Sequence, residues 1–414
     1  MRGERFRALT LLVALVLSPK ARAQTAAAPE ASAAPPAADK WKLTPYGILF
    51  FNGFDNSGGT NNGDVPLWAT GGSANASASA RQSRLGLKLS GLRAAGGKLS
   101  GIAEVDFYGG FPAVGIGDNM GVVRLRLASA RIDWEHTTLL VGQDWMVFAP
   151  ANPVSLACAG IPLMAASGNP WARLPQVRLE RRQGVLTLQA AVLAASTGDF
   201  SSAFLYQPAT GALSQTPFLQ ARAAVSAKNA YGTGKPASFG VSGHYGRAKV
   251  LGTAGASDAT VDSAAASADF SLPLGGRVSL AAEGFAGKNL AGFQAGVFQG
   301  LNPDYGVAGP SGITLVGPQS IETKGGWAQL AATAVPGHLS FYGTYGVDDP
   351  KDADLVSVSK TNWRSRNRSY ALSFIHKVTP QASWGIEVRR IDTRFLETGS
   401  KRDTQVNLAT TLEF

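Results

Sequence analysis

Arg402-Asp403-Thr404-Gln405-Val406-Asn407-Leu408-Ala409-Thr410-Thr411-Leu412-Glu413-Phe414 alternates along its length. Thr404, Val406, Leu408, Thr410, Leu412 and Phe414 share one face. Asp403, Gln405, Asn407, Ala409, Thr411 and Glu413 share the other. A period of two marks a β-strand with one apolar face. The same period runs through Arg84-Leu85-Gly86-Leu87-Lys88-Leu89-Ser90, with the leucines on one side. It returns in Lys98 to Phe107 and in Trp384-Gly385-Ile386-Glu387-Val388-Arg389. Helical periodicity is nearly absent after residue 41.

Working back from that terminal strand, sixteen such segments are predicted. The first lies at 42–54, the second at 79–91, the fourth at 119–135 and the last at 401–414. Their connections alternate in length, with 110–118 and 251–259 intermediate and 397–400 breaking the pattern by being brief. Those at 55–78, 149–173, 197–215, 289–320 and 348–362 are long. Those at 92–96, 183, 230–236, 274–276, 336–337 and 379–380 are short. Long loops at one end and tight turns at the other are the plan of an all-β, transmembrane antiparallel β-barrel. Closure leaves no sheet edge and satisfies every backbone group without water. The competing reading, a soluble propeller, would need a blade-length repeat, and none is visible.

Composition agrees. Charged residues make up 16% of the 414-residue chain, against about 25% in soluble domains. One cysteine excludes an intramolecular disulfide framework, and four scattered histidines argue against a metal centre. No cofactor is expected. Arg2, Arg5 and Arg7, the apolar run Ala8–Leu17 and the small-residue site Ala21-Arg22-Ala23 read as a signal peptide over 1–23. Its removal takes five cations and one anion, so the net charge of +10 falls to +6. Export makes nucleic acid an improbable partner. Residues 24–40 are Ala/Pro-rich and read as a periplasmic linker, and the barrel is expected over 41–414.

The terminal Phe414, with apolar residues at every second position before it, resembles the carboxy-terminal signal of bacterial outer-membrane porins. In that class the signal is read by the barrel-insertion machinery. Within porins the chain resembles the DcaP-like trimeric family. The segments that carry the resemblance are Tyr46-Gly47, Ala80-Arg81-Gln82-Ser83-Arg84-Leu85-Gly86 and Val123-Arg124-Leu125-Arg126-Leu127-Ala128. Leu140-Val141-Gly142-Gln143-Asp144-Trp145 with Phe148, and Arg173-Leu174-Pro175-Gln176-Val177-Arg178, complete them. They cover most of 41–183. The resemblance implies a Gram-negative outer membrane, a homotrimer and dicarboxylate uptake. One departure concerns the amino-terminal coiled coil typical of that family. Residues 24–40 hold no heptads, so a trimer would rest on barrel walls alone.

In a barrel, residues off the lipid face point into the lumen. That places Arg84, Lys88, Arg124, Arg126, Arg178, Arg222 and Arg389 inside, opposite Glu104 and Asp106. Arginine-rich pore walls favour anions, and a guanidinium grips carboxylate in a two-point fork. The expected function is passive diffusion of small hydrophilic solutes with a preference for organic anions. A weakly selective porin or sugar channel is the alternative, followed by a plugged structural or enzymatic barrel. Ser242 and His244 lack any catalytic motif. In trimeric porins the loop after the fifth strand folds inward, so 149–173 is the expected constriction loop and Arg173 its key residue. Cys158, between alanines in that loop, reads as a small buried residue. Arg364, Arg366 and Arg368 share a face with Tyr370 and Leu372 just past a long loop, at an outer rim that either lipopolysaccharide phosphates or solvent would meet. Nine aromatics are expected in the two interface girdles: Trp41, Tyr46, Phe50, Trp134, Trp145, Phe341, Tyr342, Trp384 and Phe414.

Overall fold

The computed structural model describes residues 40–109, 121–196, 208–251, 258–310, 312–359 and 362–414. The expected signal peptide, and the linker as far as residue 39, lie outside the described residues.

The strands, in chain order, are β1 (Lys42–Asn56), β2 (Asn75–Ser79), β3 (Arg84–Ala94), β4 (Gly97–Asp106), β5 (Arg124–Asp133), β6 (Thr137–Trp145), β7 (Arg173–Gln183) and β8 (Leu186–Leu193). There follow β9 (Phe218–Ala227), β10 (Ala237–Val250), β11 (Ala259–Pro273), β12 (Val278–Lys288), β13 (Leu301–Gly309), β14 (Gly312–Ser320) and β15 (Glu322–Val335). The chain finishes with β16 (Leu339–Pro350), β17 (Arg364–Lys377), β18 (Ala382–Phe395) and β19 (Gly399–Glu413).

Successive wall strands pair antiparallel, and β1 pairs with β19 from Ile48↔Glu413 to Asn56↔Gln405, so the sheet closes on itself. The wall is a closed 16-strand barrel. β2 and β3 are two pieces of one wall strand, pairing with the upper and lower halves of β1. The break between them lets consecutive side chains, Arg81 and Gln82, both lie buried, which an unbroken strand would forbid. β13 and β14 form a separate hairpin inside the long connection after β12, a feature the periodicity does not announce.

Exposure is inverted relative to a soluble protein. Leu49, Phe51, Leu87, Leu125, Val241, Leu330, Leu372, Val388 and Leu408 are exposed on the outer face. Asn52, Glu104, Gln220, Asp269, Asn367, Arg389 and Asn407 are buried inside. An apolar exterior over a polar interior is what lipid demands of a spanning barrel. Among the described residues no helix is long and apolar enough to cross a membrane.

Candidate functional site

The segment 146–172 leaves the end of β6, crosses the lumen and returns at Arg173. Wall side chains hold its backbone all the way round. Gln220 accepts from the Val147 and Phe148 amides at 2.9 and 3.0 Å. Ser242 accepts from Ala149 at 3.1 Å and Glu283 from Ala151 at 3.0 Å. Gln329 both accepts from Val154 N and donates to its carbonyl, at 2.9 and 2.8 Å. Gln82 closes the circuit, donating to Ala157 O at 2.9 Å and accepting from Gly160 N at 2.7 Å. Each neutral bond of this kind contributes about 1 kcal/mol. Apolar seats reinforce them: Phe148 packs with Phe218 and Phe293, and Leu163 and Met164 pack on Trp327.

Two further segments fold in from the same end. Asp348 accepts from Val297 N at 3.1 Å, Asn367 donates to Leu67 O at 2.7 Å, and Thr393 accepts from Ala69 N at 2.9 Å. Trp68 meets Phe298 between these segments. Alternation puts Arg364 at the outer rim, but a register shift between Arg364 and Arg366 turns it inward. Its guanidinium lies 4.3 Å from the Trp68 ring and donates to Val297 O.

The inner wall built by β3 to β7 keeps accessible charged surface. Arg124 binds Asp106 at 2.6 Å, and Arg126 bridges Glu104 and Asp106 at 2.6 and 2.7 Å. Arg84 approaches Glu104 at 3.5 Å. Arg84 and Arg124 also donate to the loop carbonyls of Ala159 and Gly160, at 3.1 and 2.7 Å. Their side chains stay 21% and 25% exposed, whereas Arg126 is 3% exposed. Tyr46 donates to Glu104 at 2.8 Å, and Lys88 lies 4.4 Å from the Tyr46 ring. Arg173 rests between Trp145 and Trp171, 4.8 and 5.0 Å from the ring centres. Its one hydrogen bond among the described residues is a 3.4 Å contact to Gly160 O, and its Nη1 is buried without a partner. Arg178 donates to Trp145 O at 3.2 Å. The structure thus brings Arg84, Arg124, Arg126, Arg173, Glu104 and Asp106 around one stretch of loop, with Lys88 and Arg178 on the same inner wall.

Two expected pore-lining residues sit elsewhere. Arg389 is 1% exposed beneath the inward segments, and Arg222 is bound by Asp269 at 2.9 Å with its side chain 10% exposed. Alternation fixes the face of each but not what covers it. Several aromatics also correct the girdle assignment. Phe50 is 3% exposed against loop residue Ala157, and Tyr46 and Trp145 serve the lumen.

Cys158 retains some accessible surface, yet burial first and the Glu387 carboxylate second push its thiol up. The thiolate is the reactive form. Iodoacetamide is therefore expected to label the folded barrel far more slowly than the urea-unfolded chain. Equal rates would show that the loop does not hold Cys158 against the Glu387 wall.

No protein-family model and no curated protein matches the sequence. Solved structures do match. The outer membrane channel DcaP of Acinetobacter baumannii aligns with a TM-score of 0.69 at 17% identity, over 90% of this chain and 97% of that one. The anion-selective porin from Comamonas acidovorans aligns with a TM-score of 0.57 at 13% identity, over 91% and 100%. Pseudomonas putida OprB aligns with a TM-score of 0.55 at 10% identity, over 90% and 94%. The chain has the fold that the outer membrane channel DcaP shares with the anion-selective porin.

Proposed function

We propose that this barrel lies in the outer membrane of a Gram-negative bacterium and passes small organic anions, dicarboxylates among them, by passive diffusion. The observation that carries the reading is Arg173. It is held between two indoles, it meets no carboxylate among the described residues, and its buried Nη1 is unpartnered. The residue is only partly buried, so its guanidinium can turn donors toward a passing carboxylate. With Arg84, Arg124, Arg126 and Arg178 around it, five guanidiniums stand against Glu104, Asp106 and Asp144, the last bound by the Ser129 hydroxyl at 3.2 Å, an excess of two positive charges at neutral pH. Such an excess in a narrow, low-dielectric passage draws anions and repels cations. One structural neighbour, the porin from Comamonas acidovorans, is anion-selective, which points the same way.

Assembly as a homotrimer through the barrel walls belongs to the same proposal, and one structure of Vibrio cholerae OmpT is described as a trimer form. Phe414 is 57% exposed at the seam, open to the insertion machinery. The enzymatic alternative finds no support at Ser242 and His244. Ser242 anchors the Ala149 amide, and His244 is enclosed by Phe148, Phe218 and Phe293.

The test is the zero-current potential of the refolded protein in a planar bilayer under a KCl gradient. A potential set by chloride is expected, with conductance falling when dicarboxylate is added. A cation-preferring potential would overturn the anion reading. A heat-modifiable barrel that does not conduct would overturn the channel itself.

A further inference from the structure

We propose that the outer face of the barrel carries a binding site for the phosphorylated headgroup of a membrane lipid, separate from the lumen. A cleft of about 750 Å³ opens there, bordered by the cations Lys288, Lys324, Lys351, Arg366 and Arg394 and by the acids Glu322, Asp349 and Asp352. Register lays several of these in one row: Ala286↔Lys324, Lys324↔Asp349 and Arg366↔Arg394. The last pair sets two guanidiniums directly opposite each other on one face. Like charges so placed repel, unless an anion sits between them.

The acids nearby do not supply it fully. Arg366 reaches Asp349 only at 3.8 Å and Arg394 reaches Asp352 only at 3.5 Å, neither making a side-chain hydrogen bond among the described residues. Lys324 has no ion pair among them. Lys351 and Lys288 are engaged, by Glu322 at 2.9 Å and Asp262 at 3.3 Å, and Asp354 approaches Lys351 at 3.8 Å. Lys324, Arg366 and Arg394 therefore hold the unspent donors.

Position identifies the ligand as a lipid. Below Arg366 on β17 comes Tyr370, packed on Tyr345 at 5.0 Å, and then Leu372, 71% exposed. The tyrosines mark the top of the apolar belt. Arg366 is four residues higher, about 10 Å along a tilted strand, at headgroup depth. Directly beneath Lys324 the outer wall is made of small residues. Register joins Ala266 with Ala286, Ala268 with Gly284, Gly284 with Gly326, and Ala282 with Ala328. They form a shallow trough into the lipid layer. Cations above a trough suit a phosphate followed by acyl chains, whereas a free phosphate has no use for the trough.

The full chain, purified in detergent, would be titrated with three probes: a bisphosphorylated diglucosamine lipid, the same lipid without phosphates, and inorganic phosphate. Retained adducts would be counted by native mass spectrometry. The bisphosphorylated lipid is expected to bind, with removal of its phosphates costing about tenfold or more. Arg366→Ala with Arg394→Ala should impose a similar loss, and Lys324→Gln a smaller one. Ala286→Leu, which fills the trough and leaves the cations, should weaken the lipid but not inorganic phosphate. Unchanged lipid binding in the double variant would overturn the site. So would inorganic phosphate binding as tightly as the lipid, since the site would then be a free-anion site. A zero-current potential like that of the parent checks that each variant folds, and it keeps this test independent of the lumenal reading.

Discussion

Arg173→Glu combined with Arg178→Glu is expected to turn the channel from anion-preferring to cation-preferring. The constriction wall carries five guanidiniums, Arg84, Arg124, Arg126, Arg173 and Arg178, facing Glu104, Asp106 and Asp144. Two reversals move an excess of two positive charges to an excess of two negative ones. The pair is chosen because neither residue is tied to a carboxylate: Arg173 rests on indoles and Arg178 on the Trp145 carbonyl. Arg124 and Arg126 are poorer targets. They hold Asp106 and Glu104, and removing one partner of a buried pair costs about 3–5 kcal/mol. A loss of fold would then hide any change in selectivity. With the double variant, the zero-current potential should change sign under the same KCl gradient. Arg173→Glu alone should bring it close to zero. A potential that keeps its sign in the double variant would place the selectivity-setting charge away from this wall.

The wall is legible in the sequence because lipid enforces one rule on every strand. Outer positions must be apolar, so Leu125, 50% exposed, betrays Arg124 and Arg126 on either side of it. The rule weakens wherever a loop packs inside. Ile48-Leu49-Phe50-Phe51 is apolar on both faces because Phe50 meets the inward loop at Ala157. An aromatic there says nothing about the girdle. Nor does period reveal depth. Arg389 and Arg84 both point inward, yet one lies sealed beneath inward-folded segments and the other stays 21% exposed. The hairpin β13–β14 escapes detection because Asn302, Pro303 and Asp304 break the alternation, and bulges follow in the register. Trp171 and Gln82, which seat Arg173 and the loop, carry no local signal. Their roles arise from contacts between segments far apart in sequence.

Gly346→Leu is expected to raise single-channel conductance several-fold and to lower anion preference at the same time. Gly346 sits on the inner face of β16, where the loop lies directly on the wall backbone. A Cβ there would come within 2.2 Å of Ser167 O and 3.0 Å of the Met164 sulfur. The loop cannot rotate away locally. Gly168 has φ of +102°, and a Cβ on it would come within 2.1 Å of Gly326 O. Something must move, and the two contestants differ in strength. β16 is fixed by continuous ladders to β15 and β17. The loop is held there by single side-chain bonds, such as Asn367 to Ala166 O at 2.9 Å and to Ser167 Oγ at 2.8 Å. Overpacking costs about 1–3 kcal/mol, comparable to two or three such bonds, so the loop yields and the wall stays. The barrel should remain heat-modifiable, and Cys158 should label faster. Conductance and labelling at parental values would mean that the segment from Met164 to Gly168 does not narrow the passage, and the constriction would then have to be sought at the Trp68–Phe298 contact nearer the long-loop end.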